Sequence, residues 1–160
     1  MFTTLGIDTS NYTTSAALFD GERMMQVKKL LPAKEGERGI RQSDAVFHHT
    51  KQYPALLEEL FYGVSGELCA CGASTRPTTV EGSYMPCFLV GEGAARAVAS
   101  SLHIPLFTFS HQQGHIAAAL FSAGKTELFS ERFLAFHVSG GTTGTRSDVS
   151  IKKRARSGAR

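Results

Sequence analysis

The sequence predicts an α/β domain on a mixed sheet, and three observations predict it. Phe2–Asp8 and Thr14–Asp20 are strand-like runs on either side of a polar turn, and Asp20-Gly21 is a two-residue hairpin signal leading into a third run, Arg23–Leu31. Asp44–Phe61 carries apolar residues at helical spacing. Beyond residue 66, strand-like and helix-like segments alternate, the pattern of parallel strands joined by helical crossovers.

Each element follows from its own residues. The first three runs make a β-meander, after which residues 33–43, AKEGERGIRQS, are polar and glycine-rich and read as a loop. In Asp44–Phe61, the side chains of Val46, Tyr53, Leu56, Leu57, Leu60 and Phe61 fall near one face. Pro54 lacks an amide proton and is expected to kink this helix or divide it in two. Residues 66–74, GELCACGAS, form the next strand, and Gly93–Leu102 the next helix. A short buried strand, IPLFTFS (104–110), then leads into a helix of small and apolar residues, HQQGHIAAALFSAG (111–124). Residues 131–144, ERFLAFHVSGGTTG, are a strand running into a glycine turn. Residues 145–160 have no apolar periodicity and read as a disordered basic tail.

Composition narrows the class. At 160 residues, 42% hydrophobic and 19% charged, the chain has the size and balance of one soluble domain. No apolar run approaches the ~20 residues of a membrane span, and the N-terminus lacks the basic-then-apolar order of a secretory signal, so a cytoplasmic protein without membrane contact is expected. Cys69, Cys71 and Cys87 are too few for a disulfide framework, and the C-x-C pair reads as small residues in or near a strand. The net charge of +3 comes from the tail, where Arg146, Lys152, Lys153, Arg154, Arg156 and Arg160 face Asp148 alone. The rest of the chain is slightly acidic, so composition gives no nucleic-acid footprint.

Three stretches carry chemistry. In SHQQGH, Ser110 can cap a helix on which His111 and His115, four residues apart, share a face and are spaced to share a metal. Gln112 occupies the place of the water-activating glutamate of H-E-x-x-H peptidases and cannot act as a base, which speaks against peptidase chemistry. In HVSGGTTG, a strand delivers Ser139, Gly140, Gly141 and Thr142 into a turn suited to cradling an anion, and His137 stands ready as a third imidazole. In GIDTS, a strand ends on Asp8 before the hydroxyls of Thr9 and Ser10, a place to hold phosphate while Asp8 orients magnesium or water.

Taken in this order, Gly6-Ile7-Asp8-Thr9-Ser10, Ser110–His115 and Val138–Thr143 resemble the tRNA threonylcarbamoyladenosine synthase family, historically called O-sialoglycoprotein endopeptidase or glycoprotease. HHTKQYPALLEEL is similar to the family's H-x-x-x-LL helix, and the likeness runs over about residues 2–144. The resemblance implies one lobe of the ATPase fold shared with actin and hexokinase. It also implies one divalent metal, iron or zinc, on His111, His115 and His137, with ATP or threonylcarbamoyl-adenylate on Asp8, Thr9, Ser10, Ser139, Gly140, Gly141 and Thr142. The implied activity is threonylcarbamoyl transfer to adenosine in tRNA. The family's second lobe has no counterpart in the chain, so residues 1–144 are expected to be an N-terminal lobe that is inactive alone.

The chain also departs from the family. The turn Thr9–Thr14 lacks the family's two acids, Glu81-Gly82-Ser83-Tyr84 replaces a GPGL loop, and Ser43 and Phe47 replace Glu and Arg. These departures suit a divergent paralog. The alternative reading is therefore a non-catalytic paralog that scaffolds a catalytic relative as a homo- or heterodimer.

Overall fold

The computed structural model describes residues 2–32, 39–139 and 142–147; of Phe2, 136–139 and 142–147 only the backbone is described. The chain divides into two compact units, Met1–His111 and Gln112–Arg160.

In the first unit, β1 (Phe2–Asp8), β2 (Thr13–Phe19) and β3 (Met24–Leu30) form the expected antiparallel meander. Its second turn is the anticipated one. Gly21 has φ 104°, a left-handed conformation open to glycine, and Asp20 Oδ1 accepts the Glu22 and Arg23 amides at 2.9 and 2.7 Å. Helix α1 (Gln42–Phe61) follows, then β4 (Glu67–Arg76), α2 (Phe88–Ser101) and β5 (Leu106–Ser110). The sheet order is β3-β2-β1-β4-β5, with β1/β4 and β4/β5 parallel. The mixed α/β architecture is thus as predicted.

The period-2 burial of β2 shows why the sheet has one core face: Thr14, Ala16 and Leu18 point inward while their neighbours are half-exposed. Leu5, Ile7, Ala16, Leu18, Cys71 and Ala73 meet Tyr53 and Leu60 of α1 and Ala95 and Ala99 of α2 in one core. A smaller cluster joins Leu31, Ala45, Cys87 and Phe88, closing α1 onto the start of α2. Each fully buried large side chain contributes about 1.5–3 kcal/mol relative to its exposed state.

Two expectations about helices need correction. Pro54 does not divide α1, which runs unbroken for 20 residues. The proline is exposed, while Tyr53, Leu56 and Leu60 around it are buried, and their burial offsets the roughly 3 kcal/mol that an interior proline costs. Helix α2 starts at Phe88, five residues before the expected Gly93. The glycines at 91 and 93 argue against helix locally, but Gly91 is where the backbone of α2 comes against β1 and the residue after it, leaving no room for a side chain.

The second unit contains most of α3 (His111–Ser122), a 3-10 turn (Thr126–Ser130) and an antiparallel hairpin of β6 (Leu134–Ser139) and β7 (Thr142–Ser147). The helix and β6 were expected. Strand β7 was not: it takes up residues 145–147, read from sequence as the start of a disordered tail, because Thr142-Thr143-Gly144-Thr145 includes three β-branched residues that register opposite β6. The remaining tail, 148–160, lies outside the described residues. Among the described residues, no helix is long and apolar enough to cross a membrane.

Candidate functional site

The parallel strands β1, β4 and β5 all end on the same edge of the sheet, the edge where open α/β sheets bind ligands. Asp8 ends β1, Ser74 lies near the end of β4, and His111 follows β5. Crossovers through α2 and out of β5 therefore bring residues 103 apart in sequence into contact. His111 Nδ1 lies 2.8 Å from Asp8 Oδ2, and the Ser10 amide donates to Asp8 Oδ1 at 2.8 Å. Both carboxylate oxygens are engaged, one by the turn and one by the imidazole.

The electrostatics follow from this. Burial alone would push the Asp8 carboxyl up. Hydrogen bonds from His111, Ser74 and Ser10, with the charge His111 can carry, outweigh burial and hold it at about 2. Asp8 is therefore an anion at any ordinary pH, and a carboxylate can only accept. It follows that His111 Nδ1 carries a proton toward Asp8 and that, in the neutral ring, the lone pair lies at Nε2. Metal-binding histidines are commonly held in this way by an outer carboxylate. The buried Phe88 ring stands against His111, centroids 6.2 Å apart and tilted by 52°.

Of the other residues singled out in GIDTS, Ser10 is committed to Asp8 through its amide, and its side chain also helps to hold the carboxylate. Thr9 is fully buried and faces α2: its hydroxyl donates to the Cys87 carbonyl at 2.9 Å and accepts the Gly91 amide at 3.0 Å. These are the groups that the first turn of a helix would pair directly. Thr9 thus fastens the turn after β1 to the start of α2. Gln42 adds a second clasp, donating to Asn11 Oδ1 at 3.0 Å and accepting the Cys87 amide at 3.2 Å.

Sequence reasoning missed the polar group beneath the turn. His49 of α1 is wholly buried, with Nδ1 2.8 Å from Thr14 Oγ1. Thr14 donates to Gln52 Oε1 at 3.0 Å, so it accepts from His49 Nδ1–H. Gln52 in turn donates to the Leu30 carbonyl at 3.1 Å. His49 Nε2 has no hydrogen-bond partner among the described residues. Burial pushes the His49 pKa down, against the Ser10 carbonyl, with the Asp8 charge also raising it. The signal was available: His49 is one turn before Tyr53 on the apolar face of α1.

His111 and His115 both fall on α3, four residues apart as read from the sequence. His137 and Ser139 lie in β6, and Thr142 opens β7. Their side chains are outside the described residues, as are Gly140 and Gly141 altogether. Among the described residues no three His, Cys, Asp or Glu side chains converge as a metal site. What fits a metal is one imidazole, His111, with Nδ1 anchored on a carboxylate.

No family model matches the chain. Individual proteins do. It is 32% identical over 143 residues to a tRNA N6-adenosine threonylcarbamoyltransferase of Pyrobaculum calidifontis, covering 87% of the chain and 39% of that protein. The protein of the same name from Thermotoga neapolitana is 32% identical over 142 residues, covering 87% and 41%. The chain thus spans about two-fifths of the length of these relatives. Among solved structures, YeaZ from Pseudomonas aeruginosa superposes with a TM-score of 0.59 at 14% identity, over 92% of this chain and 66% of YeaZ. That likeness establishes that the chain shares the α/β fold of YeaZ. With the Asp8 and His111 motifs in the order that carries the resemblance read from the sequence, the chain is similar along most of its length to tRNA N6-adenosine threonylcarbamoyltransferases, of which it spans about two-fifths.

Proposed function

We propose that this chain forms part of a threonylcarbamoyl-transfer apparatus for tRNA, holding a metal through His111, His115 and His137 and an adenylate through the GIDTS and VSGG turns. One observation carries the reading. The two motifs that the sequence separates by a hundred residues meet in the Asp8–His111 pair at 2.8 Å. Asp8 engages Nδ1 of His111, so a metal would be taken through Nε2, and His115 lies four residues further along α3. Zinc or iron bound there would supply Lewis-acid polarisation of an acyl-phosphate or carbonyl oxygen. Ser10, Ser139, Gly140, Gly141 and Thr142 would orient the phosphate of ATP or threonylcarbamoyl-adenylate, and the product acceptor is tRNA.

The scaffold reading has its own support. After Asp8, the turn Thr9–Thr14 contains no further acid, and Thr9 and Asn11 make contacts that tie the turn to α2 and α1. On that reading the chain assists a catalytic paralog as its partner subunit.

Metal content separates the readings. Purified wild-type protein loaded with zinc and desalted is expected to retain about one equivalent, and the His111→Ala/His115→Ala variant less than a tenth of that. Equal retention by both proteins counts against the metal site. Metal retention with no transfer to tRNA from threonylcarbamoyl-adenylate, alone or with an added transferase relative, counts against the enzyme.

A further inference from the structure

The Asp8 carboxylate has one oxygen on the Ser10 amide and the other on His111 Nδ1, each at 2.8 Å. All three residues belong to the unit Met1–His111. We propose that Asp8 is a positioning residue that couples the turn after β1 to His111, so that a ligand drawn to the turn and a cation drawn to His111 each alter the other's binding. Its link to a metal rests on the reading above; its effect on the imidazole does not.

The argument is one of acceptors. A carboxylate offers two equivalent oxygens, and here two N–H donors from different elements use one each. The Ser10 bond is a local turn closure between residues two apart, and it fixes the carboxylate plane. A fixed plane leaves Oδ2 aimed at the start of α3, where it holds the His111 ring with Nδ1–H inward and Nε2 as the acceptor nitrogen. Reciprocity follows. Anything that pulls the Ser10 amide away from Oδ1 removes one of the restraints on the carboxylate, leaving Ser74 and the ring to hold it, and so loosens His111, while a cation on Nε2 strengthens the Nδ1–H bond and stiffens the turn. Thr9, between the two, is pinned to α2, so the movement is confined to Asp8, Ser10 and the ring.

Asp8→Asn tests this cleanly because it nearly preserves shape while removing one acceptor. Of the two donors, only one can then find an oxygen; the other faces an NH2 group. The experiment is long-range proton–nitrogen NMR on the full chain labelled with 15N-histidine, with His111 assigned by loss of its signals in His111→Gln, and with amide exchange measured at Ser10. In wild type, His111 is expected as the Nδ1–H tautomer when neutral, with the Ser10 amide protected. In Asp8→Asn, either His111 shifts toward the Nε2–H tautomer or Ser10 exchanges at least tenfold faster.

Zinc titration adds the coupling. Zinc is expected to move the His111 ring and the Ser10 amide together in wild type, and to bind Asp8→Asn about 10–100-fold more weakly. An Nε2–H tautomer in wild type overturns the proposal without any variant being needed. So does an Asp8→Asn protein in which both His111 and Ser10 are unchanged. If the tautomer is as expected but zinc moves neither residue in wild type, the metal reading fails and the positioning role stands.

Discussion

The contact between Gly91 and Thr9 yields the sharpest expectation. A Cβ on Gly91 would lie 2.8 Å from Thr9 Oγ1, 2.9 Å from Ile7 Cγ2 and 3.2 Å from Thr9 Cγ2. Glycine to alanine inside a helix ordinarily gains about 1 kcal/mol. Here two of the overlaps are too close to be absorbed at a flexible side-chain tip, since Ile7 and Thr9 are both buried. Overpacking of a tight core costs about 1–3 kcal/mol. Moving the Thr9 hydroxyl also weakens its bonds to Cys87 and Gly91, each worth about 1 kcal/mol. The net for Gly91→Ala is a loss of about 1–3 kcal/mol. Tyr12, Tyr53, Tyr62 and Tyr84 all lie before residue 112 and the chain has no tryptophan, so tyrosine emission during urea unfolding reports on Met1–His111 alone. The midpoint is expected to fall by about 1 M at a slope of about 2 kcal/mol per molar. In a Thr9→Ala background the same substitution is expected to cost about half as much, because the hydroxyl and methyl it strikes are gone. A Gly91→Ala protein as stable as wild type, or more stable, refutes the claim that α2 is seated on Thr9.

Three further outcomes are expected. Asp8 is held at about 2, below its ordinary 3.8; its contribution of about 2 kcal/mol is complete above 3.8 and disappears as pH falls toward 2, a loss Asp8→Asn lacks when midpoints are compared across acid titrations. His49 shifts the other way for a base: with its folded pKa below 6.5, the unfolded chain binds the proton more readily, so stability declines as pH falls below about 6.5, and His49→Leu flattens this part of the profile. Pro54→Ala restores the missing amide on an exposed face of α1 and raises stability by about 1–2 kcal/mol, less than the full helix penalty because the unfolded chain gains freedom; an unchanged urea midpoint counts against it.

Much of this protein was legible along the chain because local rules are strong there. The meander follows from alternation and from Asp20-Gly21, and α1 from apolar residues three and four apart, since both periods report a buried face directly. Where local signals conflicted with packing, packing prevailed. Pro54 and Gly91 each argue against helix within a few residues, yet one is exposed beside buried anchors and the other fits because it has no side chain. His49 was overlooked because a histidine's sequence neighbours do not reveal whether Thr14, 35 residues away, waits as its partner.

The sequence by itself determined the α/β class, the motif order and the presence of Asp8 and His111 as candidates for separate tasks. Only the tertiary structure decided that they act on each other. A strand's period and a helix's spacing are set by neighbours a few residues away, whereas the meeting of β1 and β5 ends depends on β4 lying between them in a parallel sheet. Strand order is fixed by how crossover helices bury their faces, and that is a property of the whole core.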